Sequence, residues 1–158
     1  MMPGDKKLFS FSEIKQKLVN YCVYQDRCHS EVEQKMREFV LIPEAREEIL
    51  LYLMQENYLN EERFTRSYIR GKFYIKHWGR QKITSGLKLK GITEKLIRQC
   101  MDEIHPEDYY AQLAKMYEAY YFQLRGMKDY QKGVKTTRHL MSKGYEYEAI
   151  LAVRETRE

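Results

Sequence analysis

Two stretches of this chain repeat one another 53 residues apart. Leu87, Lys90, Gly91, Ile92 and Ile97 lie at offsets 0, 3, 4, 5 and 10, and Leu140, Lys143, Gly144, Tyr145 and Ile150 lie at the same offsets. Each copy carries an apolar helix position, a glycine suited to a left-handed helix stop, and an apolar restart. A period of this length restricts the fold to an array, in which one supersecondary unit buries its face on itself and on its neighbours. An earlier, more degenerate copy is visible. Val32 and Met36 match Ile83 and Leu87 in spacing, but the glycine stop is missing and Ile49 falls three residues late against Ile97.

Only 3 Pro and 8 Gly interrupt the chain. Glu, Lys, Leu, Gln, Met and Arg are plentiful, which favours helix over sheet. The breakers divide the chain into nine helices. Ser12 is expected to cap the first, which runs to about Tyr24 with Ile14, Leu18, Val19 and Cys22 inward. Ser30 is expected to cap the second, carrying Val32, Met36, Phe39 and Val40. Pro43 opens a third that buries Ile49, Leu50, Leu53 and Met54. Asn60 caps a fourth, on which Phe64, Tyr68, Gly71, Ile75 and Trp78 share one face. Gly79 breaks the chain, and a fifth helix from about Arg80 to Lys90 turns Ile83 and Leu87 inward. Thr93 caps the sixth. The seventh, about Glu107 to Leu124, is rich in tyrosine, whose usual place at helical spacing is a core position with the hydroxyl at the rim. The eighth runs from Asp129 to Lys143, and the ninth carries Ile150, Leu151 and Val153. The expected fold is therefore all-α, a tandem array of three three-helix repeats forming an elongated, curved protein. The units are 12–59, 60–105 and 106–158, behind a flexible leader, 1–11.

The net charge of +5 is unevenly spread. From Arg63 to Arg98 there are eleven Lys or Arg against the single Glu94, a local +10, and the rest of the chain carries −5. A basic centre between acidic flanks points to a polyanion or an acidic protein surface as partner. Cys22, Cys28 and Cys100 form no CxxC pair, which argues against a disulfide framework and fits a reducing compartment. Cys22, Cys28 and His29 lack a fourth zinc ligand at a standard spacing, so no metal is expected. The start of the chain leads into no apolar signal core, and no run of about 18 apolar residues exists. The expectation is a soluble cytoplasmic monomer without membrane contact. No GxxxxGK[ST], HExxH or GxSxG motif is present, and no nucleophile–base constellation stands out. No cofactor or catalytic residue is expected, and the chain is read as a binding protein rather than an enzyme.

The residues resemble a known family. Asn57-Tyr58-Leu59-Asn60-Glu61-Glu62-Arg63-Phe64, Tyr68-Ile69-Arg70, Gly79-Arg80-Gln81-Lys82-Ile83 and Leu87-Lys88-Leu89-Lys90-Gly91-Ile92 follow, in order and spacing, the pattern of the RecX recombinase regulators. His29 to Met36 is similar to that family's first-repeat signature, and Lys143-Gly144-Tyr145 to the turn of its last repeat. Thr65 departs from the family's usual Ala. The resemblance, which covers about Ser12 to Ile150, implies a bacterial cytoplasmic protein of DNA repair and recombination. Such a protein would bind the RecA–DNA filament and inhibit its growth, ATP hydrolysis and strand exchange, with no catalytic residues of its own.

The candidate site is cationic: Arg66, Arg70, Lys72, Lys76, Arg80, Lys82, Lys88 and Lys90, interleaved with Phe73, Tyr74 and His77. Such side chains neutralise phosphates, and aromatics can stack on unpaired bases, so single-stranded or duplex DNA stands beside the RecA filament as a partner. Trp78 and Tyr68 are expected to pack in the core rather than stack on a ligand. The alternative is a helix-turn-helix regulator binding one duplex sequence through the segment Gly79 to Ile97.

Overall fold

The computed structural model describes residues 8–157. Among them lie nine α-helices and no β-strand: α1 Phe11–Tyr24, α2 His29–Met36, α3 Pro43–Gln55, α4 Glu61–Arg70, α5 Arg80–Leu89, α6 Glu94–Cys100, α7 Pro106–Gln123, α8 Asp129–Ser142 and α9 Tyr147–Thr156. A π-helical turn, Gly71–Ile75, extends α4, and a 3₁₀ turn, Met101–Glu103, extends α6. The array is elongated. No described helix is long and apolar enough to cross a membrane. Most of the expected leader, residues 1–7, lies outside the described residues.

Local chemistry sets the helix ends. Asn60 and Thr93 cap α4 and α6 by accepting the backbone N–H of Arg63 and Leu96. Gly91, Gly126 and Gly144 stop the chain at φ of 82°, 73° and 96°, the left-handed region that glycine enters without steric cost. Two expected caps are displaced. Ser10, not Ser12, caps α1: its hydroxyl accepts the Glu13 N–H at 3.1 Å and Glu13 accepts the Ser10 N–H at 3.0 Å, a complete capping box. Cys28, not Ser30, precedes α2, and Glu31 accepts its N–H at 3.1 Å. The Ser30 hydroxyl is taken up by the carbonyl of Lys90, 2.9 Å away. Because α2 ends at Met36, Val40 falls beyond it and is exposed, while Phe39 returns to the core. In α3, Ile49 and Leu53 are buried, but Leu50 is half-buried and Met54 exposed.

The fourth helix departs from the expected wheel. Its inward stripe is Phe64, Thr65, Ile69 and Phe73, and Ile75 is 74% exposed. Thr65 faces the core because its hydroxyl donates to the Glu61 carbonyl at 2.7 Å, leaving no polar atom unpaired. The π turn holds an extra residue relative to an α turn, which brings Phe73 inward and puts Ile75 into solvent. The segment leaves the turn through His77 at φ 60°, strained for a residue with a side chain.

There are two cores. The smaller is built from α1 to α3 around Ile14, Leu18, Val32, Met36, Ile49 and Leu53. The larger runs without interruption through α4 to α9 and includes Cys28, from the N-cap of α2. At its centre Tyr109 packs between Phe73 and Tyr145, with ring centroids 5.6 and 5.2 Å apart. The backbone of Gly79 meets that of Gly144 so closely that a Cβ on Gly79 would lie 2.3 Å from the Gly144 carbonyl carbon.

Candidate binding surface

The eight candidate cations of α4 to α6 fall into three groups. Four of the eight are engaged by carboxylates. Arg66 reaches Asp102 at 2.8 Å and Glu103 at 3.2 Å, and Arg70 meets Glu103 at 3.0 Å. Those contacts tie α4 to the turn after α6. The Arg70 hydrogen bond, followed by that of Arg66, holds the Glu103 carboxyl below the usual carboxylate range. Arg80 lies over the Tyr109 ring at 3.8 Å and pairs with Glu146 at 3.1 Å. The Tyr109 hydroxyl also donates to Glu146 and accepts the Arg80 N–H at 3.1 Å, and burial pushes its ionisation far up. Lys90 pairs with Glu31 of α2 at 3.2 Å.

A second group surrounds the single tryptophan. The ammonium groups of Lys72 and Lys82 sit 4.6 and 4.4 Å from the Trp78 ring, within cation–π range. Trp78 is half-buried against the larger core, as is Tyr68, so both contribute to packing as expected. The third group is Lys76 and Lys88, which are exposed and have no carboxylate within 4.0 Å among the described residues. Of the interleaved aromatics, Phe73 is core. Tyr74 is exposed and donates to Asp108 at 2.7 Å, and the His77 side chain is exposed.

A cleft of about 340 Å³ separates the loop after α1 from α4 and its π turn. Its walls carry Asp26, Phe64, Tyr68, Ile75, Lys72 and Lys76. An apolar floor with two ammonium groups at the rim suits a contact that is partly apolar and partly anionic. The π turn creates this surface by presenting Ile75 and Lys76 outward together. Sequence periodicity missed it, because a regular helix would have buried Ile75. Among the described residues no group of three or more His, Cys, Asp or Glu is placed to hold a metal ion, and the three cysteines are buried with their thiols pushed up by burial.

Sequence analysis also passed over a second cationic region. Between Arg125 and Lys143 there are six Lys or Arg and one acid, Asp129. None of the six is within 4.0 Å of a carboxylate among the described residues. Its signal is hidden because the chain outside Arg63–Arg98 averages to a net acidic value.

Known proteins share this organisation. A family model described as RecX, second three-helix domain, matches residues 60–101, which hold α4 to α6. The regulatory protein RecX of Streptococcus uberis is 28% identical over 154 residues, covering 94% of this chain and 57% of that protein. The regulatory protein RecX of Vibrio parahaemolyticus is 31% identical over 99 residues, covering 63% of this chain and 62% of that one. The chain thus spans less than two thirds of the length of these relatives. The crystal structure of RecX from Lactobacillus salivarius superposes with a TM-score of 0.86 at 22% identity, over 92% of this chain and 95% of that one. A second RecX crystal structure gives 0.82 at 21% identity, over 92% and 73%. In its ordered motifs, its matched middle helices and its fold, the chain is similar to the RecX family of regulatory proteins.

Proposed function

We propose that this protein binds the RecA–DNA filament and restrains its growth, ATP hydrolysis and strand exchange, acting by shape and charge without chemistry of its own. The similarity to RecX regulatory proteins carries this reading. An elongated helical array supports it, because such a body presents an extended surface to a long, repeating partner. The contact falls to the cations that carboxylates leave open: Lys72, Lys76 and Lys82 around the cleft and Trp78, with Lys88 on α5. Arg66, Arg70, Arg80 and Lys90 take a supporting role, fixing the helices on which the lysines stand. The lysines reach either the phosphates of the filament's DNA or acidic side chains of the recombinase. Phosphate contact makes binding strongly salt-dependent through counterion release.

The test is ATP hydrolysis by RecA on single-stranded DNA, followed while purified protein is added. The reading expects the rate to fall as the protein approaches equimolar with the recombinase, and an unchanged rate there contradicts it. A helix-turn-helix reader of duplex sequence finds little support. The helix placed for recognition, α6, has seven residues, and its first turn carries Glu94, which repels phosphate.

A further inference from the structure

We propose that the outer face of α8 is a docking seam for an acidic amphipathic helix of a partner protein. The buried face of α8 is Gly133, Thr136, Thr137 and Leu140. The opposite face carries Lys135 and Arg138 in solvent, with Lys128 exposed at the N-cap. Along one edge of those cations runs an apolar line. Val134 and Met141 stand seven residues apart on the helix, the period at which one helix seats another, with Tyr130 in its first turn and Met127 just before its start. Tyr130 is 75% exposed and Met141 45%. Across from Met141, α9 contributes Tyr147, 48% exposed, and the two helices leave a hollow of about 240 Å³.

The chemistry of the surroundings selects the occupant. Among the described residues no carboxylate lines the hollow, nor the stretch of α8 beside it; the charged members are Lys135, Arg138 and Arg154. Arg154 is held over Gly133, where an added Cβ would stand 2.9 Å from its guanidinium. A ligand filling the seam therefore meets cations along its flanks and aliphatic groups along its centre. An α-helix with one apolar stripe bordered by Glu or Asp matches both features over the roughly 16 Å from Tyr130 to Met141. Single-stranded nucleic acid matches only the charge. Its bases stack on flat rings, whereas between Tyr130 and Tyr147 the seam is lined by the aliphatic Val134 and Met141. A second copy presenting the same face would set cation against cation, which excludes a two-fold dimer through α8.

The proposal stands apart from the filament reading and fails separately from it. The probe is a labelled peptide of repeated Leu-Glu-Glu-Leu-Leu-Glu-Glu heptads, compared by fluorescence anisotropy with a peptide of the same composition whose leucines are scattered, and with an oligothymidine. The expected result is at least tenfold tighter binding of the patterned peptide than of the scattered one. A loss of similar size should follow both Lys135→Glu/Arg138→Glu and Tyr130→Asp/Met141→Asp. All four positions are exposed, and circular dichroism should show each variant folded. Equal binding of the two peptides would reduce the face to unspecific charge. Oligothymidine binding lost in Lys135→Glu/Arg138→Glu, without peptide binding, would reassign the face to nucleic acid. Concentration-dependent self-association lost in the same variant would reassign it to a second copy. The absence of any binding would leave it a solvated face, and each of these four results overturns the proposal.

Discussion

The two joints of this array are built from different materials. Between α1–α3 and the rest, Cys28, at the N-cap of α2, is the one described residue before α4 that enters the larger core. The remaining ties are polar. Arg63 reaches Asp26 at 2.8 Å and the carbonyls of Asn57 and Tyr58 at 3.0 and 3.1 Å, Lys90 reaches Glu31, and the His29 N–H donates to Glu61 at 3.1 Å. Between α4–α6 and α7–α9 the core is continuous, and backbone bonds backbone. The Gly79 N–H donates to the Lys143 carbonyl at 2.8 Å and the Gln81 N–H to that of Gly144 at 2.9 Å, and the Tyr145 hydroxyl donates to the His77 carbonyl at 2.9 Å. Burial and backbone pairing are weakened little by salt, while half-exposed ion pairs are screened. The second joint is therefore the rigid one, and the first is where the array opens.

The largest effect should come from breaking the rigid joint. Gly79→Ala places a methyl group against the Gly144 and Tyr145 backbone, and Gly144→Ala meets the Lys82 Cβ at 2.4 Å while straining φ 96°. Each should cost about 3 kcal/mol or more, lowering the denaturation midpoint of α4–α9 as one unit. Tyr109→Phe should cost about 1–2 kcal/mol, since it leaves the Arg80 N–H and Glu146 without their shared hydroxyl. Arg63→Ala should cost about 1 kcal/mol, and its signature is local. Amide exchange should quicken in α1 to α3 while α4 to α9 stay protected, and added salt should do the same to the unaltered protein. Uniform exchange across both parts would erase the distinction between the joints.

The smallest expected effect is a pH dependence at the contact of α7 with α8. His139 stacks on Tyr120 with ring centroids 3.9 Å apart, and burial, with Lys143 nearby, lowers its proton affinity in the folded state. The unfolded chain then binds the proton more tightly. Stability from this residue is complete above the ordinary histidine value near 6.5 and is lost as pH falls through the lower folded value. Thermal melts should show a fall in midpoint between about pH 7 and pH 5 that is reduced in His139→Gln. An unchanged slope would contradict the assignment.

Much of the scaffold is legible in the sequence because its signals are local. Asn60 and Thr93 cap their helices, Gly91 and Gly144 stop theirs, and Ile83 and Leu87 are fully buried as their spacing requires. The binding surface is less legible because neutralisation is not local. Arg66, Arg80 and Lys90 find their carboxylates 36, 66 and 59 positions away, so a count of cations along the chain overstates the open charge. The π turn is invisible to a regular wheel, and with it the exposure of Ile75. Gly79 looks like a plain break, yet it also allows two backbones to touch, a role that only the packed array discloses.

The central claim is that the open lysines, rather than the paired cations, meet the filament. Binding of the quadruple variant Lys72→Glu/Lys76→Glu/Lys82→Glu/Lys88→Glu to RecA assembled on single-stranded DNA tests it most directly, with circular dichroism to establish the fold. The account predicts at least a hundredfold loss of affinity with the helical spectrum retained, on the order of 3 kcal/mol. A folded variant that binds the filament as well as the unaltered protein would contradict it.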